Sequence, residues 1–388
     1  MSSFLTHPDR HKTHANIAIL AVLLLVAVVG WVTWSMVSDT STPVASEDED
    51  EVEEEQIVDV SPEMAGYVYF TSYETDTRRP YPVVYDISTE EVKVVENDQD
   101  TFYQEIFPYS QGLAYLQAPY HPREDNPFAF THQKFIELNV DDTSYEMSVF
   151  LPNNLTWSES GDAFAFQGIS RDFVEEEGAA AVFDPENLND MENWSVYIQP
   201  VDSTDEPEEV VRGAVSPSWP AQTSDGIYFL QSEGVHHVNL ETDLLTQVAG
   251  LPRGEYVRGD AVLVPNSRLA ISDDGDELFF TFLSGSAEHD YVFGYELTDT
   301  LSADLTGYWR LPIGTHTDFT ISPDANYGVF ALYDLHESDS ITLRMLDLQQ
   351  ESTTEAVNLS DLYTITDVGS PHIPTLHWSF RSVEDLGI

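Results

Sequence analysis

The chain has 388 residues, of which 69 are acidic and 15 are basic, giving a formal net charge of −54. Such a surface repels nucleic acids and anionic lipid headgroups, which argues strongly against binding to DNA or RNA. Extreme acidity suits a salt-rich medium, where screening shortens the range of self-repulsion, although an acidic exported protein from elsewhere is the alternative. Cysteine is absent, so neither disulfides nor thiolate metal sites contribute to the fold.

The first predicted element is a membrane anchor. Residues 17–37 are an uncharged apolar run, which as a helix extends about 31 Å, enough to cross the hydrocarbon core of a bilayer. The run begins at Ile17 and ends at Val37. Trp31 and Trp34 fall near one end, where indole rings prefer the membrane–water interface.

The distribution of basic residues predicts the orientation of this anchor. Arg10 and Lys12 precede the run, and no basic residue follows it until Arg78. The positive-inside rule then predicts a short cytoplasmic tail over 1–16, with the bulk of the chain periplasmic or extracellular. A cleaved signal peptide is the competing interpretation, with small residues at 42–46, but the run is longer than a usual secretory apolar region. We therefore expect an uncleaved single-pass anchor.

A linker is predicted to follow over residues 38–60. Its segment 47–55 places eight carboxylates in nine positions. Such a stretch cannot bury apolar surface and extends by self-repulsion, so we expect a disordered acidic spacer. A tail that binds a cation or a partner is the alternative interpretation.

From residue 61 onward, a polar turn followed by an alternating apolar run occurs six times. The spacings between successive turns are 46, 49, 65, 49 and 50 residues, and a period near 50 indicates a repeat architecture. The repeated turn positions are Gly66, Gly112, Gly161, Gly226, Gly275 and Ala325. The long interval contains residues 172–194, which we interpret as an acidic loop inserted into one repeat.

Each repeat contains four short predicted strands. A first strand precedes the turn, as in 154–160, and the alternating aromatic run after the turn forms the second. A third strand follows, as in 195–202, and a weaker fourth is visible, as in 244–250. Four antiparallel strands repeated radially describe a β-propeller, and no 15-residue stretch of the repeat region has strong helical periodicity. We therefore predict an all-β propeller over 61–388.

The two ends of the repeat region complement each other. The first repeat starts at its turn without a first strand, and the final segment 374–380 looks like a first strand with no repeat after it. We expect the strand holding Trp378 to lie beside the strand holding Tyr67 and Phe70, which removes two exposed sheet edges. Six four-stranded blades result; seven would need a further unit within 161–226.

The turn motif is an aromatic or apolar residue, Ser, an acidic turn with Gly, and an apolar run that ends in Phe. Its best matches are 157–166, 271–280 and 321–330, with 377–380 as a closing fragment. This motif resembles the repeat of TolB-type, WD40-like propellers over about 60–385. The repeats are diverged, since the Pro–Asp pair of that family survives only at Pro323–Asp324, where Ala325 replaces Gly. The resemblance implies a propeller fold and is silent on ligand.

No motif carries an enzymatic chemistry. The chain has no G-x-S-x-G elbow, Gly-rich phosphate loop, H-E-x-x-H motif or EF-hand loop. His236 and His237 are adjacent on a predicted strand, so we expect one to face inward and one outward, unable to share a metal. Weak Ca²⁺ candidates in the inserted segment are Asp184, Glu186, Asp190 and Glu192. Their spacing lacks the Gly of an EF-hand turn, and a solvated acidic loop is the alternative.

Three functional hypotheses follow. The first is a non-enzymatic protein-interaction or scaffolding module without a cofactor, such as an accessory subunit of a membrane complex, with the inserted segment 172–194 as its contact element. The second is a surface protein that binds carbohydrate or cations, in which the loop aromatics Trp194, Trp309 and Tyr120 could stack on sugars, although single aromatics of this kind more often pack within a blade. The third is an enzyme with a site at the mouth of the central channel, for which the sequence nominates no residues.

Overall fold

The computed structural model describes residues 65–386, with gaps between the strands. The gaps are residues 74–78, 97, 111, 120–135, 141–142, 202, 204, 221–225, 253–260, 285–289, 299–300, 312–314, 334–340, 350–362 and 368–374. The predicted tail 1–16, anchor 17–37 and linker 38–60 lie outside the described residues. Within the described residues, no helix combines the length and the apolar composition that crossing a membrane requires.

Six antiparallel sheets contain all the described strands, and the sheets follow one another along the chain. Sheet 1 consists, from the innermost strand outward, of β25 (His377–Ser379), β1 (Tyr67–Tyr73), β2 (Pro80–Asp86) and β3 (Glu91–Val94). Sheet 2 consists of β4 (Thr101–Pro108), β5 (Leu113–Pro119), β6 (Ile136–Val140) and β7 (Thr143–Met147). Sheet 3 consists of β8 (Asn153–Trp157), β9 (Ala163–Ile169), β10 (Trp194–Pro200) and β11 (Glu208–Arg212).

Sheets 4 to 6 have the same order of strands, from the innermost outward. Sheet 4 consists of β12 (Val215–Ser218), β13 (Gly226–Gln231), β14 (Gly234–Asn239) and β15 (Leu244–Gly250). Sheet 5 consists of β16 (Ala261–Val262), β17 (Leu269–Ile271), β18 (Glu277–Ser284), β19 (Asp290–Leu297) and β20 (Ala303–Arg310). Sheet 6 consists of β21 (Thr315–Ile321), β22 (Tyr327–Tyr333), β23 (Ile341–Asp347) and β24 (Tyr363–Asp367).

Five of these sheets are four-stranded antiparallel blades, as the repeat predicts, and sheet 5 departs from the pattern. Its first strand is split, because β16 and β17 both pair with β18 and the residues between them leave the ladder. The expectation that every blade has four strands is therefore wrong for this sheet. The innermost strands adjoin one another in turn, from β4 through β8, β12, β17 and β21 to β25, which returns to β4. The architecture is a β-propeller.

The N-terminal and C-terminal strands pair within sheet 1. Tyr67 lies opposite Ser379, Val68 opposite Trp378, and Tyr69 opposite His377. The predicted pairing of the closing strand with β1 is thus confirmed, and Phe70 continues β1 beyond the paired residues. The pairing covers the inner edge of β1, which would otherwise present unpaired backbone groups.

The predicted Ser-containing turns link first to second strands by one local mechanism. At Ser272, the hydroxyl accepts a hydrogen bond from the Glu277 N–H at 3.0 Å, and its carbonyl accepts one from the Gly275 N–H at 2.9 Å. Gly275 takes a φ of 78°, a conformation that glycine adopts freely. The turns at Ser158 and Ser322 have the same bonds, and Ala325 occupies the left-handed position with a φ of 57°.

Not every glycine predicted to lie in a turn supplies a positive φ to a Ser turn. Gly226 is the first residue of β13, and its backbone has no positive φ. An added Cβ there would lie 2.0 Å from the Val238 carbonyl oxygen, so glycine is needed for close packing of two strands. Gly66 has a φ of 136° and precedes β1, while Gly112 precedes β5 and its carbonyl accepts the Tyr109 N–H at 3.0 Å.

The apolar core lies between successive sheets rather than in one central mass. Sheets 1 and 6 share a cluster that includes Val68, Val83, Val329 and Leu343, all at most 1% exposed. Since each sheet is covered on both faces by its neighbours, its middle strands are buried on both faces. His236 and His237 show the consequence, because both are buried although they point to opposite faces of β14. The expectation that one of them faces outward is wrong.

Candidate functional site

The innermost strands surround a channel that contains a cavity of about 150 Å³. All six innermost strands contribute to its wall. Polar and charged members of that wall include Asn154, Ser216, Arg268, Asp273, Thr320 and His377. The buried side chains around this channel form bonds between sheets, which the following contacts describe in order around the ring.

Glu105 joins three innermost strands. Its carboxylate on β4 is fully buried and accepts the backbone N–H groups of Asn154 and Leu155 on β8, both at 2.9 Å. The same carboxylate contacts Nε2 of His377 on β25 at 2.8 Å. One side chain of sheet 2 therefore binds sheet 3 on one side and sheet 1 on the other.

Gln167 and Ser216 continue this bonding through sheets 3, 4 and 5. The side-chain oxygen of Gln167 on β9 accepts the Ser216 N–H on β12 at 2.6 Å. The Ser216 hydroxyl in turn accepts the Leu269 N–H on β17 at 2.8 Å. The side chains of Gln167 and Ser216 are buried, at 1% and 2% exposure. Each therefore supplies a hydrogen-bond acceptor to a backbone N–H, of Ser216 or of Leu269, that water does not reach.

Arg268 and Asp318 connect the remaining sheets, from sheet 5 through sheet 6 to sheet 1. Nε of Arg268, which precedes β17, forms an ion pair with Oδ1 of Asp318 on β21. Oδ2 of Asp318 accepts the N–H of Leu376, just before β25, at 2.6 Å. Burial raises the pKa of Asp318, and the neighbouring Arg268 guanidinium opposes that rise. Sheets 5, 6 and 1 are thereby joined through one buried carboxylate.

We call these five side chains the inter-blade ring: Glu105, Gln167, Ser216, Arg268 and Asp318. These bonds are possible because innermost strands carry β-bulges next to the residues that form them. The pairing register shifts between Tyr103 and Glu105 and between His316 and Asp318, for example, which turns side chains and N–H groups toward the next sheet. The buried ionisable groups of the channel are thus engaged in holding sheets together.

Sequence reasoning did not single out the inter-blade ring, although a signal for it exists. Glu105 and Asn154 are 49 residues apart, Gln167 and Ser216 are also 49 apart, and Arg268 and Asp318 are 50 apart. These separations equal the repeat period. A polar residue one repeat period away from another polar residue, in or beside the first two strands of successive repeats, is therefore the pattern that predicts such contacts.

The inserted segment is folded, and its interpretation as an acidic loop is wrong. It contains the helices Arg171–Glu177 and Pro185–Leu188 and the 3-10 turns Ala181–Phe183 and Met191–Asn193. We call this segment, residues 171–193, the insertion. Three apolar side chains anchor it in the core that sheets 3 to 5 share: Phe173, Val182 and Met191, at 6%, 0% and 7% exposure. The short helices escaped prediction because each has too few residues to show a 3.6-residue period.

The insertion is held by hydrogen bonds and carries acidic residues on its outer surface. Nε1 of Trp194 donates to the Leu188 carbonyl, and the side-chain amide of Asn193 donates to the Asn187 carbonyl, both at 3.0 Å. Its exposed acidic residues are Asp172, Glu175, Glu176, Glu177, Asp184, Glu186, Asp190 and Glu192. The insertion joins β9 to β10, so antiparallel strand order puts it on the opposite face of the ring from the Ser turns.

Two of the four residues considered as Ca²⁺ ligands have a structural role within the insertion. The carboxylates of Asp184 and Asp190 accept the N–H groups of Glu186 and Glu192, at 3.0 and 3.1 Å, and so cap the short helical turns that follow them. Across the part of the chain that the structure describes, no group of three or more His, Asp or Glu side chains is arranged to hold a metal ion.

The aromatic residues considered for sugar stacking are core residues where they are described. Trp194 and Trp309 are 6% and 4% exposed, and each belongs to a cluster between sheets. Tyr120 lies outside the described residues. The interpretation as sugar-stacking loop residues is therefore wrong for these two tryptophans, and the alternative of packing within a blade holds, because both lie within strands whose faces are covered by neighbouring sheets.

Comparison with known proteins gives no family assignment. No family model matches the chain, and no curated protein matches it. The likeness to known proteins is therefore confined to solved structures.

Three solved structures are similar to the chain at low identity. They are the hydrazine synthase of Kuenenia stuttgartiensis (10% identity, 64% of this chain and 63% of that one, TM-score 0.41), an oligogalacturonate lyase from Vibrio parahaemolyticus (7%, 73% and 77%, 0.42), and a chain of a nidogen/laminin complex (9%, 80% and 98%, 0.44). The chain thus spans slightly less than two thirds of the first of these. Similarity this weak says nothing of what the present chain binds or catalyses.

Proposed function

We propose that this protein is a non-enzymatic interaction or scaffolding module: a TolB-like, six-bladed propeller held at the outer face of the cytoplasmic membrane by the predicted anchor 17–37. In this role the ring is a rigid support, and the binding surfaces lie on the segments that connect its strands. An accessory subunit of a membrane complex has this form. The apolar run at 17–37 and the charge asymmetry around it support the location.

The observation that carries this proposal is the folded insertion. A connection between two strands needs only a few residues, whereas the insertion occupies residues 171–193 and has its own buried apolar side chains, such as Val182. Fixing these residues costs conformational entropy, which the burial of Phe173, Val182 and Met191 offsets. The result is a fixed outer surface, which suits recognition of a protein partner because little order must be gained on binding.

The state of the ionisable groups in the channel supports a non-enzymatic role. Glu105 holds two backbone N–H groups, and Asp318 holds one as well as the Arg268 guanidinium. A catalytic carboxylate needs a bond that it can exchange with substrate, and these two groups are committed to bonds between sheets. The described part of the channel therefore favours structure over proton transfer.

Site-specific cross-linking on the full-length protein tests the proposal. The chain has no cysteine, so a single cysteine introduced at Glu176 on the insertion carries a photo-cross-linker without background labelling. A matched cysteine at Glu241, which is exposed on the connection between β14 and β15, is the control. We expect one adduct of defined mass from membranes of the source cells with the Glu176 probe and none with the Glu241 probe.

Two results would contradict separate parts of the proposal. Equal adducts from both positions, or none from Glu176, would remove the insertion as the contact surface. Recovery of the protein in the soluble fraction after alkaline carbonate extraction of membranes would remove the anchor while leaving the scaffold role open to the first test.

A further inference from the structure

The outermost strand of sheet 1 exposes apolar side chains at the circumference of the ring. All four residues of β3 are exposed, and Val92 and Val94 are 46% and 54% exposed. Alternate residues of a strand point to opposite faces, so these two valines share one face, and Glu91 and Lys93 share the other. Among the described residues β3 pairs only with β2, so its outer side is an open sheet edge.

The backbone groups of the two valines point away from β2. The Val95 N–H donates to the Pro82 carbonyl at 3.0 Å, which identifies a hydrogen-bonded pair of the antiparallel ladder. Hydrogen-bonded and non-hydrogen-bonded pairs alternate along such a ladder, so Val92 and Val94 direct their N–H and C=O groups outward. These groups are available to a further strand, which would extend sheet 1 beyond β3.

The charges of β3 are complementary to those of the same strand in a second copy of the chain. In an antiparallel pairing centred on Val92, this residue lies opposite its own equivalent, and Glu91 of each copy lies opposite Lys93 of the other. Glu91 and Lys93 then occupy non-hydrogen-bonded positions, where facing side chains come closest. The pairing supplies two opposite-charge contacts, whereas a pairing centred on Lys93 would set two lysines against each other.

Both charged side chains are free to make these contacts. Glu91 and Lys93 are exposed, and no ion pair of the described residues includes either of them. The chain has three lysines, and Lys93 is the one that the described residues contain. A lysine on an edge strand ordinarily discourages pairing with another chain. In the register centred on Val92, the carboxylate of the second copy neutralises it.

We propose that β3 pairs antiparallel with β3 of a second copy, centred on Val92, and so joins two propellers through one continuous sheet. Strands of four residues bury little surface, so the association is weak, with a Kd in the micromolar range. This interface goes beyond the scaffold role and does not involve the insertion.

Disulfide cross-linking of the full-length protein in mild detergent tests the register. The chain has no cysteine, so Val92→Cys and Val94→Cys are matched single-cysteine probes on the same face of the edge. In the proposed pairing, the Cα atoms of the two residues at 92 lie about 5.5 Å apart, a separation that a disulfide bridges. The two residues at 94 are offset by about 14 Å along the strands.

The expected result is a covalent dimer of the Val92→Cys variant under mild oxidation, and at least about fivefold less of it from Val94→Cys. The reaction is carried out at about 1 M NaCl, where the Debye length is about 3 Å and repulsion between the two acidic copies is screened.

A charge exchange within the strand tests the pairing without cysteine. Lys93→Glu sets two carboxylates against each other in both contacts and should weaken the Kd of self-association about tenfold in sedimentation equilibrium. Glu91→Lys should weaken it similarly. The double variant Glu91→Lys/Lys93→Glu recreates both opposite-charge contacts and should recover the wild-type Kd. Glu241→Lys, on the exposed connection between β14 and β15, is the control and should leave the Kd unchanged.

Three results would each overturn the proposal. The first is a wild-type protein that stays monomeric up to about 1 mM at high salt. The second is equal cross-linking from Val92→Cys and Val94→Cys. The third is a double charge variant that associates as weakly as the single variants. None of them bears on the adduct expected from the Glu176 probe, so failure here is distinguishable from failure of the scaffold role.

Discussion

Gly66 occupies a backbone conformation that other residues rarely adopt, directly over the closing strand. Its φ is 136°, and an added Cβ would lie 2.3 Å from Nε1 of Trp378. Gly66→Ala should therefore lower the free energy of unfolding by about 2–5 kcal/mol, since backbone strain and a displaced Trp378 both contribute. Chemical denaturation of the full-length protein measures the loss.

Gly178 is the matched control for that substitution. It also has a positive φ, 87°, but an added Cβ there has no heavy atom within 4 Å. Gly178 has a ψ of 156°, a combination that is almost confined to glycine, so Gly178→Ala should lower the free energy of unfolding by about 1–3 kcal/mol, the cost of the backbone conformation alone. If the two alanine variants lose the same stability, the contact between Gly66 and Trp378 is not what makes glycine necessary.

A carboxylate in the turn of sheet 5 gives a prediction about pH. The Ser272 hydroxyl and the Asp276 N–H donate to Asp274 and hold the pKa of its carboxyl group below the usual value. Because the folded-state pKa lies below the unfolded value of about 3.9, the turn's contribution is complete above that pH and is lost as pH falls through the folded-state pKa. Ser272→Ala should raise the pKa of Asp274, as an NMR titration of the side-chain carbons would show.

Asp162 in the turn of sheet 3 serves as the internal reference of that titration. Hydrogen bonds from Ser160 and Ser158 lower the pKa of its carboxyl group in the same way, and neither serine is changed by Ser272→Ala. An unchanged Asp162 with a raised Asp274 would support the local mechanism. A shift of both carboxyl groups would indicate a general loss of structure instead.

These turns also show how far individual residues could be predicted. The Ser-to-Gly pattern of 157–166 and 271–280 predicts a tight turn, since a Ser side chain caps the turn and Gly supplies the positive φ. Ala325 in the same position follows from alignment with the repeat, although alanine alone gives no sign of a φ of 57°. Gly226 fits the spacing but serves close packing, because a glycine's role depends on the strand beside it.

The buried ion pair between sheets 5 and 6 is the contact whose loss should cost most. Asp318→Asn leaves the Arg268 guanidinium without a countercharge at a site where it is 9% exposed. Breaking one side of such a pair typically costs about 3–5 kcal/mol, because a buried charge is left uncompensated. Urea unfolding should show this loss, and Arg268→Met combined with Asp318→Asn should recover part of it.

The double variant decides between two origins of the effect. Recovery in Arg268→Met/Asp318→Asn means that the uncompensated charge causes the loss, since removal of the guanidinium removes the problem. Additive losses would mean that Asp318 acts mainly through its bond to the Leu376 N–H, which the asparagine substitution also alters.

Strands were more predictable than the connections between them. Alternating or continuous apolar runs located the second, third and fourth strands, and β15 begins and ends where the sequence places it, at 244–250. The insertion could not be predicted as helical, because its helices have seven and four residues and are held by tertiary contacts rather than by their own periodicity. The bulges of the innermost strands are likewise invisible, since they depend on the neighbouring sheet.

Closure of the ring was predictable from the two incomplete repeats at its ends. A first strand without a successor at 374–380 and a repeat without a first strand at 61 can only complete each other if the chain forms a ring. What the ends do not encode is the bonding that accompanies closure, in which Leu376 donates to Asp318 and His377 contacts Glu105. Those partners lie 58 and 272 residues away in sequence, so no local pattern marks them.

Removal of the closing strand tests the dependence of the whole ring on this pairing. A chain that stops after residue 374 lacks β25, leaves β1 with an unpaired edge, and deprives Asp318 and Glu105 of their partners from sheet 1. Buried Trp378 and Leu386 are lost as well. We expect this variant to lose cooperative thermal unfolding and near-ultraviolet circular dichroism, whereas a chain that stops after Leu386 should keep both.

A synthetic peptide of residues 373–386 added to the shortened protein should restore the circular dichroism signal, because the missing strand pairs through backbone hydrogen bonds that need no covalent link. Cooperative unfolding of the shortened protein at the wild-type temperature would show instead that the remaining strands hold the ring without the C-terminal strand.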